Sequence, residues 1–295
     1  MRSLLFVPAD SPKKLDKGMT SGADALIIDL EDSVALDHKA PARDSAAAYL
    51  KEVGKVPSRP YLVVRVNSLS TGLTDADLDA VAPAWPDAIM LPKAEGGASV
   101  AHTDAKLAVR EARSGLPERH IKIIPIATET AASLFVAGTY AGASARLAGL
   151  TWGAEDLSAD LGAEANRDVD GVLLDPYRLA RTLCLVAAAA ARVPAIDSVY
   201  ADFRDTEGFR RDCGASRRDG FSAKMAIHPT QVPIINAAFT PTPQAIAHAQ
   251  EIVDAFAANP GAGTIGIRGV MADQPHLVRA RRVLARVQPK PKSST

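Results

Sequence analysis

Aromatic residues make up only 5% of this 295-residue chain, which leaves little from which to build a base-stacking surface. An excess of one charge is missing as well, because 34 Lys and Arg balance 34 Asp and Glu. Proteins that grip nucleic acid or an anionic membrane usually carry a basic face, so neither partner is expected. Cysteine is limited to Cys184 and Cys213, with no metal-ligand spacing and no disulfide framework, which points to a reduced, intracellular chain. The histidines form no cluster that suggests zinc. No apolar run approaches the ~18 residues of a membrane span. The opening "MRSLLFVPADSP" is interrupted at Pro8 and Asp10, too early for a signal-peptide core. Together these absences predict a cytoplasmic protein.

What is present is rhythm. Short runs rich in Val, Ile and Leu alternate with longer Ala-rich amphipathic stretches. Strands are predicted at 4–9, 25–31, 61–67, 88–94, 121–127, 146–152, 195–200 and 222–227. Helices are predicted between them, including 99–114 and a segment 175–192 with Asp175 as N-cap and Pro176 at the first helical position. Near-continuous apolar strands joined by helical crossovers indicate a parallel sheet covered on both faces. Eight such units predict an α/β fold: a single (β/α)8 TIM barrel over residues 1–240. Residues 241–288 are expected to form a C-terminal helical and lid extension, with helices at 243–258 and near 274–287 flanking a Gly-rich bend. A disordered tail is expected at 289–295.

In such a barrel the chemistry sits where strands end. The second strand, "ALIIDLED", runs straight into Asp29, Glu31 and Asp32. Buried acids are costly unless paired or bound to a cation, so something positive is expected beside them. The third strand supplies Arg65 and Asn67, the fourth Lys93 and Glu95, the fifth Glu129, the sixth Glu155 and Asp156, and the eighth His228. Glu129 and Asp156 end successive strands, and two neighbouring carboxylates repel unless one is protonated or a cation bridges them. Hard oxygen ligands with few protein partners suit magnesium. The alternative is that one acid caps the following helix. Arg65 either grips a substrate carboxylate bidentately or forms an internal salt bridge to the strand-two acids. Lys93 could form a Schiff base with a carbonyl, but amid so many acids a counter-ion is the better reading.

Other patterns fail on context. "GAGTIG" at 261–266 matches a dinucleotide fingerprint but follows a helix and Pro260 instead of a first strand. No Gly-x-Ser-x-Gly elbow exists for an esterase triad.

The chain resembles the citrate lyase β-subunit and malyl-CoA lyase family, the CoA-ester lyases of the HpcH/HpaI aldolase superfamily. The likeness is carried in order by "LLFVPADSPKKLDKG", "DALIIDLEDSVALDHKAPAR", "VVRVNS", "LPKAE", "IATETAAS", "LTWGAEDLSADLG", "DFRDTEGFRRDCGASRRDGFSAKMAIHPTQV" and "GVMADQPHLVRARRVL". The resemblance implies magnesium held by Glu129 and Asp156, and Arg65 on the carboxylate of a keto or hydroxy acid. It also implies that Asp29, Glu31 and Asp32 lie beside the metal waters. Asp273 falls on an acid/base aspartate in a segment that closes over a neighbouring subunit's barrel, so a homo-oligomer, trimer or hexamer, is implied. Phe6, Lys17, Ile227 and His228 fall where the family contacts a coenzyme A thioester. Two departures stand out: Ser11 where relatives often carry arginine, and Met225 where an aromatic is frequent.

The implied function is a magnesium-dependent carbon–carbon lyase that cleaves or forms a 3-hydroxyacyl-CoA such as malyl-, citramalyl- or citryl-CoA. Catalysis would rest on Asp273, Arg65 and Asp32. The alternatives are a CoA-independent metal aldolase of a hydroxy-keto acid, a thioesterase or synthase variant on the same site, and a non-catalytic accessory subunit.

Overall fold

The structure is a computed structural model and describes residues 1–287; the predicted tail at 289–295 lies outside the described residues. The chain divides into two compact units, Met1–Asn236 and Ala237–Thr295.

In the first unit the apolar runs form parallel strands: β1 (Ser3–Pro8), β2 (Ala25–Asp29), β3 (Tyr61–Arg65), β4 (Ala88–Leu91), β5 (Lys122–Pro125), β6 (Ile196–Asp197) and β7 (Ala223–Ala226). They pair in the order β5-β4-β3-β2-β1-β7-β6, a curled sheet whose neighbours are joined by crossovers. The intervening helices are α1 (Pro12–Met19), α2 (Lys39–Val53), α3 (Thr74–Val81), α4 (Gly96–Ser114), α5 (Ala131–Phe135), α6 (Ala154–Leu161), α7 (Asp175–Ala190) and α8 (Thr206–Asp219), followed by α9 (Gln231–Phe239).

Every residue of β2 is buried, as its unbroken apolar run requires. Side chains still alternate between faces. Leu4, Ala25, Ile27, Val63, Ala88, Met90, Ile124, Ile196 and Met225 pack into one cluster inside the curl. Two residues beyond this layer on their own strands stand Phe6, Asp29 and Arg65. The parallel register sets Asp29 opposite Arg65 and Pro8 opposite Asp29. Strand pairing alone therefore brings an acid and a guanidinium together at the strand ends.

A fully closed barrel of eight strands, expected from the sequence, is not shown. The segment predicted as a strand at 146–152 makes isolated parallel bridges, Ile123 with Leu147, Ile126 with Thr151 and Leu150 with Ala195, instead of a ladder. The strand expected at 195–200 shrinks to Ile196–Asp197. Two residues explain the weak pairing. Pro194 has no N–H to offer, although its carbonyl accepts from Leu150 N at 3.0 Å. Gly149 opposes it with no side chain, and a Cβ there would come within 3.3 Å of that same carbonyl.

Helix starts also shift slightly. The N-cap of α7 is Leu174, with Asp175 already inside the helix, so the acid acts on the first-turn dipole and not as a cap.

The second unit holds α10 (Pro243–Ala258), β8 (Thr264–Ile267), β9 (Val270–Asp273) and α11 (Gln274–Ala285). The Gly-rich bend is in fact an antiparallel hairpin. Its two-residue turn is Arg268–Gly269, with φ of 50° and 79°, the left-handed pair that a type I′ turn needs. Ala249, Ile252 and Phe256 of α10 pack with Ile267, Ala272, Leu277 and Ala280 to form this unit's own core. Among the described residues no helix is long and apolar enough to cross a membrane.

Candidate functional site

The ends of β1, β2, β3 and β5 and the start of α6 enclose a cavity of about 430 Å³. Its wall includes Phe6, Asp29, Asp32, Arg65, Glu129, Glu155, Asp156 and Ile227, residues singled out from the sequence. Trp152, Gly153, Ser198 and Met225 complete much of the rest.

Arg65 is gripped by the acids of β2 and the loop after it. Its Nε and Nη2 each donate to one oxygen of Asp29 at 2.7 Å, a bidentate pair. Nη1 lies 3.0 Å from Glu31 Oε2 and 3.5 Å from Asp32 Oδ2, and the guanidinium carbon stands 4.8 Å above the Phe6 ring. Burial alone would raise the Asp29 carboxyl, but the Arg65 bonds and the backbone N–H groups of Glu31 and Ser33 hold it below the usual range. The internal salt bridge anticipated as an alternative is therefore formed, with Arg65 still in the cavity wall.

The loop after β2 is fixed from outside the cavity as well. Lys39 donates to the carbonyls of Leu30 and Glu31, both at 2.7 Å. Asn67, noted at the end of the third strand, is buried and donates to Leu30 O at 3.0 Å and to Asp77. It is a brace for the loop and does not line the cavity.

Glu129 and Asp156 approach from the other side. Glu129 is 3% exposed and accepts from Lys93 N at 2.5 Å. Burial, and next the neighbouring Asp156 charge, push its pKa well up. Asp156 sits in the first turn of α6, whose N-cap is Gly153. Asp156 therefore does not cap the helix as the alternative had it; it adds charge to the first turn while standing in the cavity wall. Gly153 has a second purpose: a Cβ there would fall 2.7 Å from Glu129 Cγ, so only glycine lets the chain pass so close.

Lys93 is the counter-ion. Its Nζ lies 2.7 Å from Glu31 Oε1 and 2.9 Å from Asp156 Oδ1. Burial alone would lower its pKa, but these acids raise it above the ordinary lysine value. A lysine held as the ammonium is a poor Schiff-base nucleophile. Glu31 is pushed up by burial, with Arg65 and Lys93 only partly offsetting it.

Asp29, Asp32, Glu129 and Asp156 in this wall, and Glu31 behind it, are faced by Arg65 in the wall and by Lys93, which does not line the cavity. Among the described residues no group of three or more His, Cys, Asp or Glu is arranged to hold a metal. A pair of carboxylates with an excess of negative charge around it does fit a hard divalent ion that keeps most of its waters. The donor set suits magnesium and not zinc.

The remaining predicted residues lie elsewhere. Lys17 is exposed in the last turn of α1 and absent from the cavity wall. His228 stacks on Phe203 with centroids 4.7 Å apart and bonds Thr230, while its neighbour Ile227 lines the cavity. Asp273 belongs to the second unit, where its carboxylate caps α11 by accepting from His276 N. The His276 ring hydrogen-bonded to it lowers its pKa. Ser11 is the N-cap position of α1 and makes no side-chain cap bond.

Trp152 was missed by sequence reasoning. Its Nε1 donates to Asp197 Oδ1 at 2.6 Å. Asp197 is buried with Arg181 and Lys224, and despite that burial they hold its carboxyl far below the usual range. The ion cluster thus anchors one wall of the cavity. A tryptophan directly before "GAED" was the available signal.

The sequence model described as HpcH/HpaI aldolase/citrate lyase matches residues 2–229. The chain is 36% identical to a (3S)-malyl-CoA thioesterase of Cereibacter sphaeroides, over 97% of this chain and 94% of that protein. It is 34% identical to the citrate lyase subunit beta of Leuconostoc mesenteroides, over 96% and 92%. Among solved structures it is similar to CitE of Mycobacterium tuberculosis in complex with magnesium, acetoacetate and coenzyme A. That similarity has a TM-score of 0.77 and 34% identity, and covers 97% of both chains.

Proposed function

The chain belongs to the HpcH/HpaI aldolase/citrate lyase family, and on that premise we propose that it is a magnesium-dependent carbon–carbon lyase of CoA esters. Its substrate would be a 3-hydroxyacyl-CoA such as malyl-, citramalyl- or citryl-CoA. The observation that carries the reading is the placement of Glu129 and Asp156 in one cavity wall with Arg65. Support for magnesium and the thioester comes from the CitE structure, which holds both magnesium and coenzyme A.

Glu129 and Asp156 would hold the ion, which supplies Lewis-acid polarisation of the oxygen on the carbon that becomes the keto carbonyl. Arg65, locked in orientation by Asp29, would fix the carboxylate of the acid portion. Asp32, 58% exposed, in the cavity wall and only 3.5 Å from Arg65 Nη1, would accept the hydroxyl proton. As that proton leaves, the bond between the hydroxyl-bearing carbon and the thioester α-carbon breaks. Its electron pair passes to the thioester as an enolate. A proton returned to the α-carbon completes the acyl-CoA, and the resemblance assigns that return to Asp273. A trimeric or hexameric assembly is part of the same proposal and is checked by light scattering.

The test is product analysis on malyl-, citramalyl- and citryl-CoA with and without magnesium. Keto acid and acyl-CoA in equal amounts, with no free thiol, is the expected result. One relative is named a thioesterase, which gives a second reading its specific support. Release of free CoA and the intact hydroxy acid would establish that reading in place of the first. Cleavage of a hydroxy-keto acid without thioester would instead establish a CoA-independent aldolase.

A further inference from the structure

Lys93 engages the acid wall from both ends. Its backbone has φ of 50°, a left-handed conformation that a lysine adopts only at some cost. That conformation directs its N–H to Glu129 Oε2 at 2.5 Å. Its side chain then turns to Glu31 and Asp156, at 2.7 and 2.9 Å. One strained residue therefore touches both carboxylates assigned to the metal.

We propose that Lys93 is a built-in counter-cation that competes with the divalent ion for Asp156 and so sets the affinity of the site for metal. The inference rests on the metal reading above. The ammonium occupies a position in direct contact with a ligand oxygen, where a divalent ion would repel it. Glu31 gives it a second anchor, so it can leave Asp156 without losing every partner. The left-handed backbone lets a single residue orient Glu129 through its N–H while its charge limits how tightly metal is held. Weak, exchangeable magnesium, in place of a trapped ion of any kind, is the consequence.

The experiment uses the full chain, stripped with chelator, and Mn²⁺ as probe, with free Mn²⁺ read by electron paramagnetic resonance. Lys93→Met removes the charge. Lys93→Gly removes it too, keeps the N–H and adopts the existing φ without strain. Both should bind Mn²⁺ more tightly than the unaltered chain. Even strongly screened repulsion between an ammonium and a divalent ion roughly 5 Å apart corresponds to about tenfold in the dissociation constant. Lys93→Arg keeps the charge and should show no such gain. Failure of either neutral variant to bind more tightly, while the unaltered chain binds Mn²⁺, overturns the role of Lys93 alone. Absence of Mn²⁺ binding by the unaltered chain overturns the metal reading and this inference together.

Discussion

Replacing Gly153 with alanine would put a methyl group where Glu129 already stands. The added Cβ would lie 2.7 Å from Glu129 Cγ and 2.9 Å from its Oε1. Carbon atoms in favourable contact are about 3.5–4.0 Å apart, so one partner must retreat by roughly 1 Å. Gly153 itself has φ of −130° and ψ of 125°, extended backbone that alanine adopts freely, so the cost is not backbone strain. Glu129 has little room to yield, being 3% exposed and held by Lys93 N.

Overpacking of this kind costs about 1–3 kcal/mol in stability. A shift of about 1 Å in a group that positions the reacting centre costs on the order of 100-fold in rate. Gly153→Ala is therefore expected to lose about two orders of magnitude in kcat/KM and to weaken Mn²⁺ binding. Gly162→Ala is the control. It sits at the other end of α6 with φ of 66° and nothing within 4 Å of an added Cβ. That change should lower Tm through strain worth about 1 kcal/mol and leave turnover and metal affinity alone. Steady-state kinetics, Mn²⁺ titration and thermal melts on both variants separate the two effects. Full activity and metal affinity in Gly153→Ala would refute the claim that the approach of Gly153 fixes Glu129.

Three further outcomes are expected. Arg65→Lys keeps a charge but loses the bidentate bond to Asp29, so melting temperature and kcat/KM should both fall; an unchanged KM for the acid portion would count against its carboxylate role. Asp156→Asn should abolish lyase turnover even at saturating magnesium, and turnover within a few-fold of the unaltered chain would remove Asp156 from the metal site. Because the folded state holds the Asp29 carboxyl below its unfolded value, its contribution is complete above about pH 4 and is lost as pH falls through the lower folded value. Asp29→Asn should thus be less stable at neutral pH yet show a flatter acid limb in melts from about pH 5 to pH 2, and parallel acid limbs would show that Asp29 carries none of the linkage.

The pairing of Asp29 with Arg65 was open to sequence reasoning because both end apolar runs on neighbouring strands, and a parallel register needs nothing more to align them. Glu129 and Asp156 do line one wall, although the segment before Asp156 makes only isolated bridges and Asp156 itself stands in the first turn of α6. The reach of Lys93 could not be read that way, since it depends on a left-handed φ that lysine seldom adopts. The hairpin at 264–273 was hidden by three glycines in "GAGTIG", which suggested a bend; the turn-forming pair was Arg268–Gly269, outside that motif. Barrel closure was overestimated because apolar content marks a strand at 146–152 but says nothing of Pro194 opposite, which has no donor for the ladder. Lys17 and Ile227 came from the resemblance alone, whereas His228 was also named as a strand-end residue, and that reasoning had no means to distinguish a wall residue from its neighbour one position along, as Ile227 and His228 show.

The charges in the wall are not shared evenly, and the asymmetry says where another cation belongs. Asp29 has a guanidinium bonded to both oxygens and two backbone donors besides, and its carboxyl stays low. Glu129 is more dependent on a single backbone N–H, lies against the charge of Asp156, and is pushed up. Glu31 is also pushed up, with its Oε2 lacking a hydrogen bond although Arg65 Nη1 is 3.0 Å away. Arg65 is thus committed to Asp29, Glu31 and Asp32, and the ammonium of Lys93 is divided between Glu31 and Asp156. Negative charge left uncompensated in a wall this buried is unfavourable unless a proton or an ion neutralises it. On the proposed reading Glu129 and Asp156 would hold a hydrated divalent ion that neutralises this charge and would supply Lewis-acid polarisation to the substrate.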